Sequence, residues 1–205
     1  AGWVNETCIA HCSAQDLVIK LGAQVQRYEI VAVMSLTPLV LASGILGDGT
    51  SIMVQPYLPG KRPSRSDYRS RLEQFAGAID KVHNSLELKQ TLPPIASDCY
   101  CDRGMEALTH LRQKWEHYKP QVAAVAGFID ESLDGLERQV RAFSGTGLVA
   151  SHNDMNNYNW LITEDGQLYL LDLDSMSLDD PALDIGATLW WYYPPALRDK
   201  FLEIS

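Results

Sequence analysis

Basic residues are in short supply. The 205 residues carry 17 Lys+Arg against 26 Asp+Glu, a formal net charge of −9. A nucleic-acid binder needs a basic face to displace phosphate counterions, so that class of partner is excluded. Cysteine is scarcer still. Cys8, Cys12, Cys99 and Cys101 form two close pairs, and either a two-bridge secreted scaffold or a four-thiolate zinc site would need those pairs to meet. The chain is long for a disulfide-dependent fold and shows no signal peptide, so the expectation is reduced thiols in an intracellular, cytoplasmic protein. Long apolar runs are missing as well. The one membrane-like run, Ile30 to Leu46, is uncharged but short for a span and contains Ser35, Thr37, Pro38, Ser43 and Gly44. It reads as a buried helix followed by a buried strand, and no membrane partner is expected. Internal repeats and low-complexity tracts are absent.

What is present suffices for a folded core, since 46% of the residues are hydrophobic. The length allows one domain, or two small lobes sharing a cleft. The first part is β-rich with one helix. Leu17 to Leu21 is β-prone, and Val25 to Leu36 has helical spacing until Pro38 stops it. Val40 to Leu46 and Ser51 to Val54 flank Gly47-Asp48-Gly49 as a hairpin. The breaker-rich run Tyr57 to Ser64 places a lobe boundary, giving residues 1–56 and 57–205. Beyond it Asp67 to His83 puts Tyr68, Leu72, Phe75, Ala76, Ile79 and Val82 on one helical face, with Ser66 as N-cap. Met105 to Tyr118 and Val122 to Phe143 are helical, the latter with a weak point at Gly135. β-type patterning returns at Leu148 to Ala150, Trp160 to Ile162 and Leu168 to Leu173, and helix resumes near Ala182.

Chemistry concentrates in Ser151 to Leu161. His152 and Asp154 are followed five residues later by Asn159, between two strand-like runs, and Asp172 stands thirteen residues further on at the end of another. Phosphoryl transfer needs such a set. Hard oxygen ligands, Asp172 and the Asn159 amide, hold a divalent metal beside nucleotide phosphates. Asp154 accepts the proton of the attacking hydroxyl, and His152 braces the loop. Each element alone is weak, whereas the combination with these spacings is strong.

These residues resemble the aminoglycoside phosphotransferase and choline kinase family. Its catalytic loop, His-Gly-Asp-x-x-x-x-Asn, is matched by His152, Asn153, Asp154 and Asn159. Its following Ile-Asp-Trp-Glu or Ile-Asp-Phe-Asp motif is similar to Leu171-Asp172-Leu173-Asp174, and its Asp-Pro-Ala-x-Asp-Leu to Asp180-Pro181-Ala182-Leu183-Asp184-Ile185. The resemblance implies an α+β, protein-kinase-like, two-lobed fold: a small β-rich N-lobe (1–56) that binds nucleotide and a mainly helical C-lobe (57–205) for catalysis and substrate. Further helices usually follow the last matched motif in the family, so the C-lobe is expected to be incomplete at Ser205. The resemblance implies that Asp154 is the catalytic base, that Asn159 and Asp172 bind Mg2+, and that Asp184 supports the loop. Asp174 is a secondary metal or substrate candidate. Lys20 resembles the strand lysine that reaches the nucleotide phosphates, and Glu29 the helix glutamate paired with it. Gln55-Pro56-Tyr57-Leu58 resembles the hinge that reads the adenine edge, Pro56 accepting and Leu58 donating. Gly2 to Thr7 is similar to the family's weak phosphate loop. A protein kinase would carry lysine in place of Asn156, Phe-Gly after Asp172 and a later Ala-Pro-Glu, so a small-molecule kinase using ATP or GTP is implied.

From Asp130 to Asp184 twelve acids face two bases, Arg138 and Arg141. The window is an ordinary solvated surface or a field that attracts metal ions and cationic substrates. Trp190 to Tyr193 is likewise either a core helix with one wet face or a wall that stacks on a sugar or an amine. Together they tilt the acceptor toward an aminoglycoside or amino alcohol. Two other readings stand beside this one: a non-catalytic, kinase-shaped nucleotide binder, and a metal-dependent hydrolase ligated by His152, Asp154 and Asp172.

Overall fold

Hydrophobic period sets the order of elements in the computed structural model, which describes residues 6–205. The chain runs β1 (Thr7–Ala10), β2 (Leu17–Leu21), α1 (Val25–Val33), β3 (Ala42–Ile45), β4 (Ser51–Pro56), β5 (Gly60–Lys61), α2 (Arg65–Ser70), α3 (Leu72–His83) and α4 (Leu86–Gln90). It continues through α5 (Tyr100–Tyr118), a 3-10 segment (Lys119–Val125) and α6 (Ala126–Ala142). Last come β6 (Val149–Ser151), β7 (Trp160–Thr163), β8 (Leu168–Leu170), β9 (Ser177–Asp179), α7 (Ala182–Tyr192) and α8 (Pro195–Leu202). Among the described residues no helix is long and apolar enough to cross a membrane, and the four cysteines are free thiols.

Two compact units divide the chain. The first takes the residues up to Pro93 together with Ala150–Ser177 and Pro181–Ser205. It carries an antiparallel sheet of order β1-β2-β4-β3, with Lys20 opposite Met53, and a second antiparallel sheet of order β5-β7-β8. Its aromatic core is built around Tyr68, which stacks on Phe75 and Tyr192 at 4.2 and 4.0 Å, while Phe75 meets Trp160 edge-on. Ring pairs of this kind add about 0.5–1.5 kcal/mol beyond the area they bury. The second unit, Pro94–Val149 with Leu178–Asp180, packs α5 on α6 through Leu108, Trp115 and Leu133.

Several sequence expectations need correction. Helix α1 stops at Val33, not Leu36, because Ser35 turns left-handed (φ 59) before Pro38 is reached. The strand expected to be buried, β3, is exposed along its length, since it is an edge of the sheet. The helix expected from Asp67 to His83 is two helices, broken at Arg71 (φ −118), whose guanidinium reaches the Gly166 carbonyl at 2.8 Å. Its cap is Ser64, not Ser66, in a reciprocal pair with Asp67. Lys61 and Ser64 hold the Asp67 carboxyl down to about 2. Gly135 does not interrupt α6.

Candidate active site

The segment between β6 and β7 is fastened from below by Asp184, buried in the first turn of α7. Its carboxylate accepts the backbone N–H groups of His152 and Asn153 at 2.7 and 2.9 Å and lies 2.9 Å from His83 Nε2 on α3. Burial alone would raise its pKa, but His83 and the His152 N–H hold it below the ordinary carboxylate range. Asn153 is left-handed (φ 66), a conformation that costs most L-residues roughly 1–2 kcal/mol and that Asn tolerates. It stands where the family pattern has glycine. His152 is fully buried, and both ring nitrogens are spent, Nε2 on the Leu171 carbonyl (2.9 Å) and Nδ1 on the Asp154 N–H (3.3 Å). It braces the loop and cannot also ligate a metal.

Above this brace Asp154 is exposed, with Oδ1 accepting from Asn156 Nδ2 (2.5 Å) and Oδ2 from Asn159 Nδ2 (2.8 Å). Asn159 is buried, and its carbonyl accepts the Leu171 N–H at 2.8 Å, which ties the loop to the residue before Asp172. The Tyr192 hydroxyl accepts the Asn157 N–H at 2.7 Å.

Asn159 and Asp172 line a cavity of about 360 Å³ together with Lys20 and Tyr28. Pro56 and Leu58 line it too, as does Thr7, the last residue of the phosphate-loop resemblance, whose Gly2 lies outside the described residues. The Leu58 N–H has no partner among the described residues, whereas the Tyr57 N–H is bound to the Asp16 carbonyl at 2.8 Å. Lys20 Nζ lies 2.7 Å from Tyr28 Oη, 2.6 Å from Asp172 Oδ1 and 2.5 Å from Asp174 Oδ2. Burial would lower its pKa, but Tyr28, Asp172 and Asp174 outweigh that and raise it.

Glu29 does not join this group. The inward stripe of α1 is Arg27, Tyr28, Val31 and Ala32, while Glu29 and Val33, four residues apart, share the exposed side. The expected Lys20–Glu29 pair is replaced by one with Asp172 and Asp174. Sequence reasoning also missed Tyr28 and His83, and it named Tyr192 only within the aromatic run, without its bond to the loop. Tyr28 was open to helical phase, since Val31 and Ala32 mark the buried face. Partners more than thirty residues distant left no local signal.

For a divalent cation the donor set is suitable. The Asn159 nitrogen is spent on Asp154, which leaves its amide oxygen, and Asp172 has one carboxylate oxygen without a partner among the described residues. These are hard oxygen donors, few in number, the kind of site in which Mg2+ completes its shell from phosphates and water. Among the described residues no cluster of three His, Cys, Asp or Glu could hold a metal by itself, and of the three ligands named for the hydrolase reading His152 has both ring nitrogens engaged. The acidic window is also less of an open field than its charge suggests. Asp130 pairs with Lys119, Glu137 with Arg112 and Arg141, Asp179 with Arg103, and Asp174 with Lys20.

Comparison with known proteins gives the family and the fold. A sequence model of the phosphotransferase enzyme family matches residues 15–204. Spectinomycin phosphotransferase APH(9)-Ia, solved with ADP and spectinomycin, is similar with a TM-score of 0.69 at 14% identity, over 99% of this chain and 71% of that one. Aminoglycoside phosphotransferase APH(4)-Ia gives 0.67 at 16%, over 99% and 75%. Choline kinase LicA from Streptococcus pneumoniae gives 0.59 at 15%, over 99% and 72%. At such identities the likeness is one of fold, α+β and kinase-like. The family match does not stop at the loop motifs but takes in the Lys20 strand and the Asp184 helix as well, and on that ground the chain belongs to the phosphotransferase enzyme family.

Proposed function

We propose that this chain moves the γ-phosphoryl group of ATP or GTP to a hydroxyl of a small molecule. The observation that carries the reading is one cavity lined both by Lys20, Asn159 and Asp172 and by Pro56 and Leu58. A triphosphate tail suits the first group and a purine edge the second. Asn159 and Asp172 are the residues to hold Mg2+, which when bound neutralises charge on the phosphates. Lys20 orients the phosphates. Asp154, exposed and held by two asparagine amides, faces the acceptor. Its carboxylate takes the hydroxyl proton as the new P–O bond forms and the bond to the nucleoside diphosphate breaks. His152 and Asp184 keep that carboxylate in place.

An acceptor bearing both hydroxyl and amine groups, an aminoglycoside or amino alcohol, is the reading's first choice. Asp154 offers an exposed negative charge, and Trp190 and Trp191 are exposed on α7 (71% and 61%) as stacking faces. A thermal-shift panel of ATP and GTP, each with and without Mg2+, combined with a phosphotransfer screen over amines, sugars and antibiotics, tests both levels. The expected outcome is a rise in Tm with nucleotide plus Mg2+, since a ligand at 100 times its Kd stabilises by about 2.7 kcal/mol, and nucleoside diphosphate release with one acceptor class. Binding without transfer to any acceptor would refute the kinase assignment in favour of a nucleotide-binding role.

A further inference from the structure

The Lys20 ammonium has three donors, and all three are occupied, by Tyr28, Asp172 and Asp174. It can meet a nucleotide phosphate only by giving one of them up, and they are not equally held. The Asp174 side chain is 12% exposed and both oxygens are spent: Oδ1 accepts the Gln24 N–H at 2.8 Å, while Oδ2 takes Lys20 and the Tyr28 hydroxyl (3.0 Å). Tyr28 is buried and also accepts the Leu173 N–H at 3.1 Å. Its neighbour Arg27 fastens the same segment through the carbonyls of Leu173, Asp174 and Met176. The Asp172 side chain, by contrast, is 54% exposed, lines the cavity and holds Lys20 through one oxygen only.

Resting on the reading that this cavity takes a nucleotide, we infer that Tyr28 and Asp174 are the permanent anchor of Lys20, in the role the family resemblance gives to Glu29. Lys20 exchanges Asp172 for a phosphate oxygen when the cavity fills. Asp174 is therefore a positioning residue and not a metal ligand. The exchange leaves Lys20 paired with one carboxylate throughout, and it frees the exposed carboxylate beside Asn159 as the phosphate arrives. Arg27 keeps the Leu173 to Met176 backbone attached to α1, so the exchange needs a side-chain movement and no rearrangement of the helix.

The test has one arm without ligand and one with it. In urea unfolding, the midpoint shifts of Lys20→Met and Asp174→Asn should combine non-additively, whereas those of Lys20→Met and Glu29→Gln should add. Additive behaviour of the Lys20 and Asp174 pair would overturn the anchor. In calorimetry with ATP and Mg2+, Asp174→Asn and Tyr28→Phe should each weaken nucleotide binding by about tenfold or more. The Mg2+ concentration for half-maximal binding should stay unchanged, and Glu29→Gln should alter neither quantity. A displaced Mg2+ midpoint in Asp174→Asn, with nucleotide affinity intact at saturating Mg2+, would overturn the inference and make Asp174 a ligand. Failure of the unaltered chain to bind ATP or GTP overturns the phosphotransferase reading and the exchange together, and is told apart from failure of the anchor alone, which the unfolding cycle reports.

Discussion

Asp172 carries two burdens at one position, a left-handed backbone (φ 58) and the carboxylate that meets Lys20. Two variants separate them. Asp172→Gly accepts the backbone without strain and Asp172→Ala does not, so Ala should melt lower. Both should lose Mg2+-dependent nucleotide affinity, as read by calorimetry, and retention of that affinity in either would contradict the metal role. Asp154→Asn keeps the size of the side chain and removes the carboxylate base, and its one remaining oxygen can accept from only one of Asn156 and Asn159. Transfer should fall by about 10²- to 10⁴-fold, the usual worth of a positioned base, with nucleotide affinity unchanged. These residues were legible in the sequence because one short loop and one strand end fix them by chain connectivity. Lys20 was legible as a lone lysine in a β-prone run. Its partner was not, because one residue of helical phase moves a side chain by about 100°, and the choice of Glu29 followed charge where burial favoured Tyr28.

Strand-and-helix architecture matters to the site chiefly through α7, which delivers Asp184 to the loop from its first turn. A carboxylate at a helix N-terminus suits the helix dipole, and here it also satisfies the buried His152 N–H and the part-buried Asn153 N–H. Asp184→Ala should cost roughly 2–5 kcal/mol, because it strips partners from the His152 and Asn153 N–H groups and from His83 Nε2, each orphaned buried group costing about 1–3 kcal/mol, and urea unfolding measures it. A cost below about 1 kcal/mol, the scale of an ordinary surface change, would show the loop to be held by other means. At this scale the sequence carried most of the information. Short apolar, β-prone runs marked β2, β4, β7 and β8, and the 3.6-residue stripe marked α3. The break between α2 and α3 escaped because Arg71 interrupts the helix by reaching a carbonyl 95 residues away, the kind of tertiary bond no local pattern encodes. The cap was misplaced by two residues although Ser64-Arg65-Ser66-Asp67 carries the reciprocal spacing, since both serines suit the role.

Across the whole molecule a formal charge of −9 makes protonation at acid pH relieve repulsion, and on that count alone stability would rise toward the isoelectric region. The site opposes this. Burial would raise the pKa of Asp174 and Asp184, but Lys20, Gln24 N–H and Tyr28 lower the first, and His83 and the His152 N–H lower the second. A carboxyl whose native pKa is depressed contributes stability that is complete above its unfolded value of about 3.9 and is lost as pH falls toward the native one. On the alkaline side Tyr28, Tyr68 and Tyr193 are raised, by burial first of all, and Lys20 is raised by its partners against burial. Their contributions are complete below unfolded values near 10 and are lost as pH climbs beyond them. The expected profile of Tm from pH 3 to 11 is a plateau between about 5 and 9.5 with a fall at each end. The acid fall should shrink in Asp174→Asn, because that variant has no carboxyl there left to protonate. An acid fall of undiminished size in Asp174→Asn, or a Tm profile with no fall at the acid end, would show the carboxylate account to be wrong.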